Sequence, residues 1–513
     1  MSARSRSHDG HPAPEVNGAI KRTTVAVAAL AVLSAVAGCS PGDSRRSMDA
    51  GDNVGVASTP FEAVAADQTC PATAPAEARC YRVEVPADWS KPHSSTISLP
   101  VVVVPATGPD VRPDPLVVPA GGPGGSMTPV AARWSDPHRD IVLYDQRGTG
   151  AAEPLLDCPE RNEVWVENLQ IDGSFEEERA AIVDALNDCR HRLEMAGIDL
   201  DDYDTEANVA DLDAIRMALG YDQWNILGIS YGARLTMAAM RSTPNGIRSV
   251  ILDSVDDVTT GGIAATRVSG DRAFAELAAA CNESTTCATQ HDDLSAEIDA
   301  VERRYNAAPV HVQIDLGDGQ GPQEFVITGA DMMGGLFQAM YDPVLLALLP
   351  SIIGDLSTGD TAIVGELVRR SVSARHEIAW GMNLTVNCAD HASSDPDEDA
   401  SAISDPGRFR LLLTVPLCSE WPVEPTSDVF NEPVESDIST LVMAGRFDPI
   451  TPPSGSEAVA GRLSNATFAL WPNRGHVVTG DPCADTIMSA FLENPAALLD
   501  LTCVEALTGP RFL

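Results

Sequence analysis

The chain has 513 residues, 44% apolar and 21% charged, the proportions of a folded soluble body rather than a disordered, collagenous or multi-spanning membrane chain. That length exceeds one small domain, so a large core with an insertion, or two domains, is expected. A formal charge of −40 repels phosphate backbones and argues against nucleic acid as a partner; it reads either as a solvated acidic surface or as an acidic site for cationic substrates.

In chain order, Lys21 and Arg22 precede sixteen uncharged residues, 23–38, and then Cys39. A basic flank and an apolar stretch too short to span a bilayer comfortably read as a signal peptide over 1–38. Val36-Ala37-Gly38-Cys39 resembles the bacterial lipobox. That resemblance implies cleavage before Cys39 and lipidation of its thiol, giving an exported protein tethered to the outer face of the cytoplasmic membrane; plain secretion is the alternative. Residues 39–66, mostly small and polar, read as a linker. Of eleven cysteines, ten remain after Cys39, an even set suited to disulfides in an oxidising compartment. Sequence alone leaves connectivity open; pairing of neighbours is expected, as Cys70–Cys80, Cys158–Cys189, Cys281–Cys287, Cys388–Cys418 and Cys483–Cys503. No cluster has the spacing of a metal site, so neither metal nor cofactor is expected.

Six short apolar runs end in turn residues, at 116–125, 140–150, 224–232, 249–255, 439–449 and 467–476. They read as buried parallel strands. Helical patterns at 208–220 and 233–242 suit βαβ crossovers, so the fold class is α/β, with ligands expected at the carboxyl ends of the strands. Between Val255 and Ser439 lie about 180 residues, too many for a crossover. With helical patterns at 273–281, 294–305 and 362–380, residues 256–438 read as a mainly helical cap, inserted between core segments 67–255 and 439–513.

Gly228-Ile229-Ser230-Tyr231-Gly232 stands between a strand and a helix. A serine on such a sharp turn is pushed into the open, and small residues two before and two after let strand and helix approach. The competing role for Ser230 is a helix N-cap. A serine nucleophile needs a base and an orienting carboxylate. Asp448 follows the run at 439–449 and His476 ends the last one, in the order Ser, Asp, His at strand ends. The tetrahedral intermediate needs fixed donors; the Tyr231 amide and Gly122, in Gly121-Gly122-Pro123-Gly124-Gly125, are the candidates for the oxyanion hole. Asp145 and Arg147 read as a structural pair beside the site, and Thr451 as a hydrogen-bonding neighbour of Asp448.

GGPGGS (121–126), LYDQRGTG (143–150), GISYGARL (228–235), NCAD (387–390), GRFDPITP (445–452) and NRGH (473–476) together resemble the α/β-hydrolase superfamily. The likeness is to its proline iminopeptidase-like branch, with the actinobacterial tripeptidyl aminopeptidases and the mycobacterial lipid-anchored cell-envelope serine proteases, also called carboxylesterase A. It implies a nucleophile at Ser230, an acid at Asp448, a base at His476, a helical cap, disulfides, and a peptide or ester substrate. An aminopeptidase releasing di- or tripeptides from free N-termini is the expected activity; a carboxylesterase or lipase, and an inactive surface-tethered binding protein, are the alternatives. Ala120 stands where the iminopeptidases often carry histidine, which argues against proline-type specificity. The family's Cys-x-Asp segment makes Asp390 a candidate for the substrate ammonium group, against pairing with an arginine such as Arg375 or capping a helix. A monomer is expected.

Overall fold

The computed structural model describes residues 61–257, 263–391 and 418–513. The expected signal peptide, Cys39 and most of the expected linker lie outside these residues.

Apolar runs become central strands where both faces are covered, except that the run expected as a buried strand at 467–476 forms a partly exposed edge strand, Ala466–Trp471. β4 (Leu116–Val118), β5 (Ile141–Tyr144), β6 (Trp224–Ile229), β7 (Ile247–Asp253), β10 (Thr440–Gly445) and β11 (Ala466–Trp471) form the parallel part of a nine-stranded sheet. β1 (Ala65–Asp67), β2 (Arg79–Pro86) and β3 (Thr96–Val104) extend it antiparallel, giving the order β1-β2-β3-β5-β4-β6-β7-β10-β11. Alternate residues of one strand serve opposite cores: Val101 and Val103 pack with Val117, Val142, Ile226 and Leu252, whereas Val102 and Val104 pack with Val118, Leu143, Leu227 and Met443. These three N-terminal strands escaped the sequence reading, although 96–104 is a nearly unbroken apolar run.

The helices between the strands are α1 (Pro159–Asn168), α2 (Phe175–Met195), α3 (Thr205–Ala218) and α4 (Tyr231–Ser242). Among the described residues, the chain leaves the sheet after β7 and rejoins it at β10. In between lie α5 (Ile263–Glu283), α6 (Thr285–Ala288), α7 (Leu294–Ala307), α8 (Gly329–Ala339), α9 (Pro343–Thr358), α10 (Val364–His376) and α11 (Trp380–Asp390). The segment also holds an antiparallel pair, β8 (Val310–Ile314) with β9 (Gln323–Ile327), joined through an Asp-Gly-rich turn that the mainly helical expectation left out. The helix expected over 362–380 is broken at 377–379. Ala379 takes an extended conformation, and its amide donates to the Gly124 carbonyl at 2.9 Å instead of to the preceding turn. The C-terminal helices are α12 (Pro453–Arg462), α13 (Pro482–Glu493) and α14 (Thr502–Glu505). Disulfides join Cys70–Cys80, Cys158–Cys189, Cys281–Cys287, Cys388–Cys418 and Cys483–Cys503.

Candidate active site

Ser230 is the single residue between β6 and α4, with φ 58° and ψ −122°, a backbone region costly for a residue with a Cβ. It occupies the N-cap position, yet its side chain makes no capping hydrogen bond. The hydroxyl is therefore not spent on capping the helix. The turn closes because its flanks are bare: a Cβ at Gly228 would lie 2.5 Å from Thr236 Oγ1, and one at Gly232 would lie 2.6 Å from the Pro119 carbonyl.

Asp448 and His476 follow the adjacent strands β10 and β11. The imidazole Nδ1 faces Asp448 Oδ2 at 2.8 Å, and a carboxylate partner assigns the proton to Nδ1, leaving Nε2 as the free base. Thr451 Oγ1 donates to the same Oδ2 at 2.7 Å and lies 3.1 Å from His476 Nδ1. The Ile450 and Thr451 amides donate to Asp448 Oδ1 at 2.9 and 2.8 Å. Burial acts to raise the Asp448 pKa, but His476 and these donors outweigh it and hold the group below the ordinary carboxylate value. For His476, burial acts to lower the pKa; the charge and hydrogen bond of Asp448 outweigh it, so the imidazole sits above the ordinary histidine value.

The glycine loop lies directly against the serine turn: a Cβ on Gly121 would be 3.0 Å from the Ile229 carbonyl and 3.2 Å from Ser230 Cβ. The Gly125 amide donates to the Gly121 carbonyl at 3.1 Å, and Gly122 has φ +120°. Among the described residues, neither the Gly122 amide nor the Tyr231 amide at the start of α4 is given to a protein acceptor. Two N–H groups beside a serine, one of them at the positive end of a helix, suit a developing oxyanion. Among the described residues, no hydrogen bond joins Ser230 Oγ to His476. Of the expected row, the acid–imidazole half is closed. The serine–imidazole half has no hydrogen bond among the described residues.

Residues 114–309 match the family described as "alpha/beta hydrolase fold", and residues 407–503 match the one described as "TAP-like protein". Similar relatives include Serine protease Hip1 of Mycobacterium tuberculosis, 27% identical over 452 residues that cover 82% of this chain and 85% of the relative. Carboxylesterase B of Mycobacterium tuberculosis is 27% identical over 463 residues, 83% and 86% of the two chains. Tripeptidyl aminopeptidase of Streptomyces coelicolor is 26% identical over 469 residues, 85% of each. This chain is a serine hydrolase of the α/β-hydrolase fold.

In this hydrolase Asp390 is 4% exposed and held within the protein. Its Oδ2 accepts Arg234 Nη1 at 3.1 Å and Thr205 Oγ1 at 2.6 Å, and Thr205 lies 2.9 Å from the Tyr231 hydroxyl. Burial, the largest influence, raises its pKa despite Arg234. Arg234 is shared, its Nη2 lying 2.7 Å from Asp256 Oδ2, and Asp390 Oδ1 has no hydrogen-bond partner among the described residues. The partner is Arg234, on α4, rather than Arg375.

Asp145 and Arg147 do not pair with each other. Arg147 forms a two-pronged contact with Asp211 on α3, at 2.7 and 2.6 Å, both side chains being wholly buried. Asp145 instead accepts the Met127 and Thr128 amides at 2.9 Å each and Thr128 Oγ1 at 2.7 Å, while Gln146 Nε2 donates to the Ala120 carbonyl at 2.9 Å. These two side chains pin both ends of the glycine loop.

Other neighbours of the site went unread in the sequence. Arg272 of α5 donates to the carbonyls of Arg446 and Asp448, bracing the turn after β10. The Tyr341 ring, after α8, lies 4.8 Å from the His476 ring. Their signal is spatial: each comes from the segment between β7 and β10, far along the chain from what it touches.

Proposed function

We propose that the hydrolase removes short peptides from free N-termini by acylation and deacylation of Ser230. His476 Nε2 takes the Ser230 proton as Oγ attacks the scissile carbonyl, and then gives it to the leaving amine. Asp448 holds the imidazole by Nδ1 and stabilises its cation. The Tyr231 and Gly122 amides receive the oxyanion. Water activated by His476 then releases the acyl group.

The observation that carries this reading is the buried Asp448–His476 pair, closed on the Nδ1 side, together with a serine hydroxyl on a strained strand-to-helix turn that caps nothing. Residues 256–438 act as a cap limiting access to Ser230, in keeping with the position of Tyr341 beside His476. Peptidase action draws support from the relatives named as a serine protease and a tripeptidyl aminopeptidase. A carboxylesterase using the same three residues is the second reading, favoured by a relative of equal identity bearing that name. Export as a lipoprotein anchored at Cys39 rests on the leader pattern, and five disulfides suit that compartment.

The test compares a free-amine tripeptide anilide, its N-acetylated form and a short acyl ester, on wild type and Ser230→Ala. Peptidase action predicts that acetylation abolishes cleavage and that the variant, still folded, loses roughly four to six powers of ten. Equal cleavage of both anilides refutes recognition of the amine. Turnover confined to the ester supports the second reading, and wild-type turnover by Ser230→Ala removes Ser230 from the mechanism.

A further inference from the structure

Three non-glycine residues have positive φ among the described residues: Ser230 at 58°, Ser254 at 57° and Val477 at 72°. For a β-branched residue such as Val477 this is a rare and unfavourable conformation. Such strain persists only where surrounding contacts over-determine it. All three residues meet at the carboxyl end of β7.

The Asp253 carbonyl accepts the Ser230 amide at 3.0 Å, on the nucleophile side. Its carboxylate turns the other way. Oδ1 and Oδ2 accept the Val478 amide at 3.0 and 2.9 Å, and Oδ2 also accepts the Thr479 amide and hydroxyl at 2.7 Å each. Next to it, Ser254 Oγ accepts the Val477 amide at 2.9 Å and donates to Asp253 Oδ1 at 3.1 Å. Ser254 is itself held, its amide donating to the Met443 carbonyl of β10 at 3.0 Å. Both side chains are wholly buried. Thus the three residues that follow His476 are all fastened to Asp253 or Ser254, and Asp253 also fastens the amide of Ser230.

We propose that Asp253, with Ser254, is a positioning element that sets the distance between Ser230 and His476, holding Val477 in its strained conformation so that the imidazole faces the serine. The proposal rests on the reading of Ser230 and His476 as nucleophile and base. It assigns no new group to the reacting atoms. Asp253 touches neither the hydroxyl nor the ring, and acts through the two turns it joins. Charge-assisted bonds from four donors in a buried site are strong enough to oppose relaxation of a strained turn.

The test uses the full-length protein and Asp253→Asn, Ser254→Ala and Thr479→Val. Each is measured for the second-order rate of Ser230 labelling by a fluorophosphonate, for kcat and KM on one turned-over substrate, and for folding by circular dichroism. Asp253→Asn should slow labelling and lower kcat about 10–100-fold with KM within about twofold, because misplacement rather than lost binding is the defect. Ser254→Ala and Thr479→Val, which each remove one tether bond, should lose about 3–10-fold. The acid limb of kcat/KM should also move to lower pH in Asp253→Asn. The ionisable groups facing His476 are Asp448, Asp253 and Asp256 on the sheet side and Tyr341 on the other, and the substitution removes one negative charge among them. A merely structural role would lower the melting temperature and leave kcat per folded molecule and the limb unchanged. Labelling of folded Asp253→Asn at the wild-type rate overturns the proposal. Should that variant not fold, wild-type rates in both Ser254→Ala and Thr479→Val overturn it equally. Failure of wild type itself to label refutes the nucleophile assignment instead.

Discussion

Gly475 immediately precedes His476, and replacing it with alanine tests how rigidly the histidine turn is seated. Its φ lies outside the left-handed region, so alanine suits the backbone and the effect is one of space alone. A Cβ there would lie 1.9 Å from the Met340 carbonyl oxygen and 2.9 Å from its carbon. Real Cβ atoms essentially never come within 3.0 Å of another heavy atom, so the two segments must part by at least about 1.1 Å. The obstacle is backbone at the end of α8, and the following residue, Tyr341, already faces the imidazole at 4.8 Å. Neither side can give way by rotating a flexible side chain. If the histidine turn moves by about 1 Å relative to Ser230, the expected loss is on the order of 100-fold in fluorophosphonate labelling and in kcat/KM. Gly461→Ala is the control: in α12 a Cβ at Gly461 meets nothing within 4 Å, and alanine there should be neutral or stabilise by up to about 1 kcal/mol. Gly475→Ala labelling within threefold of wild type, with an unchanged melting temperature, would refute the reasoning.

A general base works only when neutral, so the raised pKa of His476 places the acid limb of kcat/KM above the ordinary histidine value, activity falling as pH drops through it. Asp448→Asn removes the main charge that raises it and should shift that limb downward while lowering kcat by roughly 10³–10⁴, measured as a pH–rate profile. Thr451→Val removes one donor to Asp448 Oδ2, and a loss of about 3–10-fold in kcat is expected, with KM little changed. Arg147→Met strands the buried Asp211 carboxylate and should cost about 3–5 kcal/mol in denaturant unfolding, whereas Arg369→Met breaks only an exposed pair with Glu366 and should cost less than about 1 kcal/mol.

The strands that precede Ser230 and Asp448 could be read from the chain alone, because a parallel strand covered on both faces must be apolar along its length and must end where polar turn residues begin; β11, before His476, is a partly exposed edge strand and was legible only as an apolar run ending in a turn. The serine turn was legible for a similar reason: Gly228 and Gly232 are demanded by contacts within a few residues or with the neighbouring strand. Neighbour pairing of the cysteines was likewise a short-range inference. Other features depend on partners that no local pattern names. Asp390 meets Arg234 across 156 positions, and Arg147 meets Asp211 across 64. Helix α10 stops where the amide of Ala379 finds the Gly124 carbonyl, a choice that its own helical periodicity cannot foresee. The link from Asp253 to the residues after His476 spans 225 positions. Local sequence determines which residues are apolar, bare or reactive, since those are properties of side chains and their near neighbours. Only the folded chain decides which buried charge answers which, because that depends on distances set by the packing of the sheet and the long segment between β7 and β10.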